Sequence, residues 1–391
     1  MINNLVTEIA YSSVNHVGEE LCGDNVQIIE TKDSKVIVLS DGLGSGVKAN
    51  ILSTLTSKML STMIANNISI KECVEAVIET LPICKERHIA YSTFSIIKIS
   101  NSREVEIYNY DNPLPFCINR DGLVKIKYEE DVISNKKIYH AVTKLNVDDV
   151  IFLMSDGIIH AGIGVSLNFG WTIDEVEKYV SSLYNADNYS AKTLTTVLLD
   201  QVNRLYNFKP GDDATVAAIK IRKRAMSNIF VGPPTDHKDD AKMVNLFMAK
   251  AGKHIVCGGT TSKIFAKCLN REIIFDGEYL DKEIPPTSKI EGLDVVSEGI
   301  ITLKKVLYYA NNLLDGNNTE YFNWCYKLDG ASQIARILFE ESTDVNIFVG
   351  CASNVAHQDS GEIDINTKLA MLDQLKKDLE RMSKKVTITY F

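Results

Sequence analysis

The sequence predicts an α+β protein in two parts. A layered antiparallel domain spans residues 1–222, and a smaller α/β domain with a mostly parallel sheet spans 223–391. Three observations carry this reading. Up to Arg222, strand patterns come in consecutive runs with helical patterns grouped between them, as in antiparallel layered folds. Beyond it, short apolar runs lead through glycine-bearing joints into helical periodicity, as in parallel sheets. Between the two lies Ile221-Arg222-Lys223-Arg224-Ala225-Met226-Ser227-Asn228, which reads as a solvated linker.

The elements follow in chain order. Residues 26–30 and 36–40 are β-rich runs flanking the polar turn Thr31-Lys32-Asp33-Ser34, a hairpin signature. After Gly46 the period changes: Ile51, Leu52, Leu55, Met59, Leu60 and Met63 recur at three and four residues, an amphipathic helix. Residues 70–81 repeat the pattern and stop before Pro82. Strands return at 92–99, 104–110, 116–119 and 150–154, helices at 173–183 and 191–206, and a closing strand at 214–221. In the second part, strands at 228–231, 254–257, 293–296 and 345–349 alternate with helices at 241–250, 261–268 and 303–314. A charged helix at 367–382 and a last strand at 386–391 end the chain.

Global counts narrow the function. The 391 residues carry 42 Lys and Arg against 51 Asp and Glu, a formal charge of −9. That balance argues against a nucleic-acid partner, whose phosphates call for clustered cations. It is compatible with a metal enzyme, because hard divalent cations are held by carboxylates. No stretch has the roughly 20 apolar residues of a membrane helix, and residues 1–10 lack the basic start of a secretory signal. Eight scattered cysteines without a C-x-x-C pair read as free thiols, which places the chain in a reducing cytoplasm.

Four acids in the first part share one placement, at the end or start of an apolar strand beside a Gly or a second polar residue. Asp24 lies in Gly23-Asp24-Asn25, Asp41 in Ser40-Asp41-Gly42, Asp156 in Ser155-Asp156-Gly157, and Asp212 in Gly211-Asp212-Asp213-Ala214-Thr215. Singly, each is ordinary turn chemistry. Converging carboxylates repel one another, and a divalent cation relieves that repulsion. Oxygen ligands without a matching His or Cys favour Mg²⁺ or Mn²⁺ over zinc.

The run Leu39-Ser40-Asp41-Gly42-Leu43-Gly44-Ser45-Gly46-Val47-Lys48-Ala49 resembles the second metal motif of the SpoIIE-type branch of the protein phosphatase 2C family. Gly23-Asp24-Asn25 resembles its first motif, Phe152-Leu153-Met154-Ser155-Asp156-Gly157-Ile158 its SDG motif, and Asp212-Asp213-Ala214-Thr215-Val216 its final DDxT motif. The resemblance covers residues 1–222 with all four motifs in family order. It implies an α-β-β-α sandwich with two Mn²⁺ or Mg²⁺ ions held by Asp24, Asp41, the Gly42 carbonyl, Asp156 and Asp212. Asp41 would bridge the ions, and Asp213 takes the non-ligand position of its motif. Asp41 and Asp156 would act in catalysis through a metal-activated water that attacks phosphorus. The implied substrate is phosphoserine or phosphothreonine on a bacterial regulatory protein.

No Lys or Arg precedes Lys32, so the upstream phosphate-binding Arg of eukaryotic members is missing. Lys48 reads as a solvated side chain before it reads as a phosphate ligand. His160 reads as a structural His before a general acid, and Ser45 as a helix N-cap. In the second part, Gly258, Gly259, Thr260 and Thr261 join a strand to a helix and form a candidate anion site for a small-molecule ligand. Ser297-Glu298-Gly299 is a similar joint, and both read as turn-and-cap chemistry slightly before they read as an anion site. Asp236, His237, Asp239 and Asp240 fit a helix start better than a metal site, and His357 with Asp359 is as thin a signal. Two other readings stay open: a catalytically idle scaffold on the phosphatase fold, and a sensor whose C-terminal domain carries the main function.

Overall fold

The computed structural model describes residues 4–80, 92–184, 189–275, 284–315, 319–352 and 365–391. The chain divides into two units, Ile9–Arg222, and Met1–Glu8 together with Lys223–Phe391. His357 and Asp359 lie outside the described residues.

The first unit begins with the Ile9–Val14 part of β1 (Leu5–Val14), β2 (Asp24–Glu30) and β3 (Ser34–Gly42), followed by helices α1 (Gly46–Ala65) and α2 (Ile70–Thr80). Seven strands come next: β4 (Ser92–Ser100), β5 (Glu104–Tyr110), β6 (Phe116–Asn119), β7 (Gly122–Val124), β8 (Glu129–Ile133), β9 (Lys136–Lys144) and β10 (Val150–Met154). A single turn α3 (Asp156–Ile159), helices α4 (Ile173–Leu183) and α5 (Ala191–Leu205), and strand β11 (Ala214–Lys223) complete it. Two sheets result, in orders β2-β3-β4-β5-β9-β8 and β1-β11-β10-β6-β7.

Side-chain alternation explains the layering. Val36, Val38, Phe94 and Ile96 pack against Leu52, Leu60 and Ile64 of α1 and Val74 and Val77 of α2. Phe116, Phe152, Val216 and Ala218 pack against Val176 and Val180 of α4 and Leu194, Leu198 and Val202 of α5. The residues between them, Ile37, Leu39 and Ile97 on one sheet and Ile151, Leu153 and Ile219 on the other, are fully buried. Since successive side chains point to opposite faces, they fill the space between the sheets. The unit is thus the α-β-β-α sandwich that the motifs imply. Its first strand and the β7–β9 segment escape sequence reading, because β8 is exposed along most of its length and lacks a clean apolar alternation.

The second unit contains β12 (Met226–Val231), a 3₁₀ turn (His237–Asp239), α6 (Asp240–Met248), β13 (Lys253–Cys257) and α7 (Gly259–Leu269). It continues through β14 (Ile274–Phe275), β15 (Ser288–Lys289), β16 (Val295–Ser297), α8 (Ile300–Leu314), α9 (Thr319–Trp324) and α10 (Gly330–Ala335). A π-helical turn (Arg336–Glu341), β17 (Asp344–Val349), α11 (Ile365–Arg381) and β18 (Lys385–Tyr390) end the chain. The sheet order is β14-β15-β16-β13-β12-β17-β18. The five strands from β16 to β18 are parallel, and β14 and β15 add an antiparallel edge. Phe230, Phe247, Phe265 and Phe348 interlock in the core. Among the described residues no helix is long and apolar enough to cross a membrane.

The basic stretch at 221–228 is not a solvated linker. Arg222 and Lys223 belong to β11, and only Arg224 and Ala225 separate it from β12. The Arg224 amide donates to the Asn4 carbonyl, and its guanidinium pairs with Asp344 at 2.5 Å. The first eight residues also group with the second unit and not with the domain that follows them in sequence. Within it, the Lys384 ammonium meets the Glu8 carboxylate at 2.6 Å, with both side chains almost fully buried. Removing one partner of such a pair takes from the other its direct counter-charge in a low-dielectric interior. Lys384→Met should therefore destabilise the chain by about 3–5 kcal/mol in urea unfolding. The Glu8→Leu/Lys384→Met double variant should recover most of that loss; equal losses in both variants would contradict this.

Candidate metal centre

The β2–β3 hairpin sets the first pair of acids. Its register makes Asp24 and Asp41 direct cross-strand partners, at the start of one strand and the end of the other. Glycines bring the backbones close. A side chain on Gly42 would collide with the Ala49 carbonyl of α1, so the strand end and the helix touch through bare backbone. The Gly42 amide donates to the Gly23 carbonyl at 3.2 Å.

The other acids arrive from the second sheet. Asp156 opens α3 just after β10, and Asp212 and Asp213 lie just before β11, the strand paired with β10. A Cβ on Gly157 would clash with the Asp213 carbonyl, and the Tyr206 hydroxyl donates to the Gly157 carbonyl at 2.9 Å. Ser155 joins the sheets: its hydroxyl accepts the Thr215 amide at 2.9 Å and donates to Asp24 Oδ2 at 2.7 Å.

The carboxylates form two groups, and Asp41 feels the charges of Asp24 in one and of Asp156 and Asp212 in the other. Asp156, His160 and Asp212 offer ligand atoms within 4.8 Å of one another, a group suited to a metal ion. Asp24 and Asp213 are buried, and each keeps one oxygen, Asp24 Oδ1 and Asp213 Oδ2, without a hydrogen-bond partner. A Cβ on Gly23 would lie 2.7 Å from that Asp213 oxygen, which places it beside the Asp24 turn. Asp213 Oδ1 accepts the His16 amide at 3.0 Å. Burial, followed by the charges of Asp24, Asp156 and Asp212, pushes the Asp41 carboxyl well above the usual carboxylate range. Burial also raises Asp24 and Asp212; the neighbouring Asp213 adds to the rise at Asp24 and Asp156 to that at Asp212. Two orphaned buried carboxylate oxygens and three carboxyls forced toward the neutral form are what a hard divalent cation would satisfy. The residues fit the Mn²⁺ or Mg²⁺ pair that the motifs imply.

Sequence reasoning did not single out several residues that structure this centre. Ser155 and Thr215 lie inside the quoted motifs, but their spacing says nothing of the bond between sheets. His16 carries no sequence signal. Asp213, expected as the non-ligand member of its motif, has the buried unpaired oxygen. His160, read first as structural, joins Asp156, with Nδ1 3.7 Å from Oδ2. Ser45 occupies the N-cap position of α1, but its hydroxyl donates to Glu19 Oε1 at 3.1 Å and makes no cap bond. Lys48 is exposed. In the second unit, Asp236 caps the 3₁₀ turn by accepting the Lys238 amide at 2.9 Å, as the helix-start reading expects. Gly258, Gly259, Thr260 and Thr261 form the joint between β13 and α7, with Gly258 as N-cap.

Residues 31–222 match the family model described as Stage II sporulation protein E (SpoIIE). Those residues are a SpoIIE-type domain. The match begins after the Asp24 motif and leaves the second unit unmatched. Among solved structures, the SpoIIE-type domain is similar to the PP2C phosphatase domain with a fragment of the regulatory domain of the cell fate determinant SpoIIE from Bacillus subtilis. That similarity has 19% identity and a TM-score of 0.48, and covers 56% of this chain and 65% of that one. The chain thus spans less than two thirds of this relative. The RsbU and RsbW domains of a Mycobacterium tuberculosis protein are 19% identical with a TM-score of 0.45, covering 62% of this chain and 70% of that one. RsbX in complex with magnesium is 16% identical with a TM-score of 0.37, covering 55% of this chain and 95% of that one. No curated protein matches the chain.

The raised carboxyls set a pH dependence. A carboxyl that titrates higher folded than unfolded holds its proton on folding, so it favours the folded state below the unfolded value of about 4 and loses that contribution as pH rises. Without divalent ions, the SpoIIE-type domain should lose thermal stability from mildly acidic pH to pH about 8. Asp41→Asn should flatten that slope, and Mn²⁺ should restore the wild type at the alkaline end. A metal-free stability that stays level or rises over this range would contradict the assignment.

Proposed function

We propose that this chain is a metal-dependent phosphatase that hydrolyses phosphoserine or phosphothreonine on a regulatory protein. The observation that carries the reading is the convergence of Asp24, Asp41, Asp156, Asp212 and Asp213 from two sheets, with two buried oxygens left unpaired. Asp24, Asp41, Asp156, Asp212 and the Gly42 carbonyl would hold two Mn²⁺ or Mg²⁺ ions, and Asp213 Oδ2 is a further candidate ligand. When bound, such ions supply an acidified water as nucleophile and offset charge on the phosphoryl oxygens.

The chain's own residues supply the rest. Ser155 holds Asp24, while Gly42 and Gly157 let α1 and the Asp213 turn approach the site through backbone alone. Half-exposed His160 stands beside Asp156, where its imidazole can hold a proton for the leaving hydroxyl oxygen of the substrate side chain. SpoIIE-type membership of residues 31–222 supports this choice of substrate class. Seven described cysteines are free thiols, in keeping with a reducing cytoplasm.

With Mn²⁺, the full chain should hydrolyse p-nitrophenyl phosphate and a phosphoserine peptide. Asp41→Asn and Asp156→Asn should each lower kcat about a thousandfold, the loss of several kcal/mol of charge stabilisation. Circular dichroism should stay unchanged. A folded wild type without turnover in Mn²⁺ or Mg²⁺ would overturn the proposal in favour of the idle scaffold.

A further inference from the structure

The second unit carries an unassigned site at the carboxyl edge of its parallel sheet. Four adjacent strands end there in glycine joints. In the order β16-β13-β12-β17, Ser297 is level with Cys257, Cys257 with Val231, and Val231 with Val349. Gly299, Gly258, Gly232 and Gly350 follow these strand ends and form a row. A Cβ on Gly350 would strike the Gly232 carbonyl, and one on Gly299 would come within 3.2 Å of the Gly258 Cα. The chain runs outward in both directions from β12, with β13 on one side and β17 on the other. Open α/β sheets bind ligands at such a switch point, beyond the carboxyl ends of the strands.

Lys368, in the first turn of α11, reaches this crevice. It is 8% exposed, and its Nζ donates to the Gly350 carbonyl at 2.6 Å. A Cβ on Gly232 would lie 2.8 Å from that nitrogen. Among the described residues no carboxylate pairs with it. A buried ammonium with no counter-charge is costly, and burial lowers its pKa accordingly. Next to it, across Gly232, whose amide donates to the Cys257 carbonyl at 3.4 Å, lies the start of α7. The Gly258 and Gly259 amides bond the Ser297 and Glu298 carbonyls, which leaves the Thr260 and Thr261 amides as the donors of the first turn. Thr261 is fully buried, and its Oγ1 has no hydrogen-bond partner and lies 3.0 Å from where a Cβ on Gly258 would stand. Thr302 holds the matching position at the start of α8, likewise buried with an unpaired hydroxyl.

We propose that this edge binds the phosphate group of a small molecule, with Lys368 as counter-charge and the amides of Thr260 and Thr261 and the Thr261 hydroxyl as donors. Glycines alone would only turn the chain. The uncompensated ammonium and the orphaned hydroxyl ask for an anion with several acceptor oxygens, and helix N-termini favour phosphate. The site is independent of the phosphatase reading, since it lies in the other unit.

Equilibrium dialysis of the full chain against radiolabelled inorganic phosphate tests it, in EDTA to keep divalent ions from the carboxylate centre. The wild type should bind phosphate saturably at one site per chain, without competition from acetate at equal ionic strength. Lys368→Met and Thr261→Val should each weaken binding about tenfold, while Asp41→Asn leaves it unchanged. If Lys368→Met fails to fold, Thr261→Val carries the test. No saturable binding, competition by acetate, equal binding in the folded variants, or loss in Asp41→Asn would each overturn the proposal.

Discussion

The structure of the SpoIIE-type domain turns on the mutual repulsion of carboxylates held at the meeting edge of two sheets. Asp24 and Asp41 face each other across a hairpin, and Asp156, Asp212 and Asp213 reach the same place from the other sheet. Proteins seldom bury like charges together, because each raises the cost of ionising the next. Here the surrounding architecture enforces the crowding. Strand register fixes the first pair, and glycines at 42 and 157 let backbones close to distances that a side chain would block. Ser155 ties the two sheets together through Asp24. The arrangement is consistent with a site that gains its stability from cations.

Much of the fold was legible because burial patterns are local. The α1 helix was legible as an element, but only Leu52 and Leu60 of the apolar positions read from its spacing are buried; Ile51 and Leu55 are exposed, and Ser53, Thr56, Ser57 and Ser61 fill much of the packed face. The 26–40 hairpin was legible from its polar turn, and the parallel sheet from glycine joints after apolar runs. The β7–β9 segment was not, since its strands are short or exposed and their pairing is set by neighbours far along the chain. The stretch at 221–228 misled for a related reason. Basic side chains read as solvated in sequence, whereas Arg224 is tied to Asn4 and Asp344, partners that no local pattern reveals.

The candidate site was legible in its acids and not in their support. Asp24, Asp41, Asp156 and Asp212 announce themselves by position at strand ends and by motif. The unpaired oxygen of Asp213 arises only once two turns are stacked, whereas the approach of His160 to Asp156 is an i,i+4 contact within a single turn. In the second unit, Gly258–Thr261 could be read as turn and cap alone. The difference lies in Lys368, more than a hundred residues later in the chain, whose burial without a counter-charge is invisible to sequence.

The most direct measurement of the central claim is a Mn²⁺ titration of the full chain followed by the electron paramagnetic resonance of the free aquo ion. Two ions bound per wild-type chain, with at least one lost in Asp41→Asn at unchanged fold, is the predicted result. A wild type that leaves all added Mn²⁺ free, or an Asp41→Asn variant that binds as many ions as wild type, would contradict it.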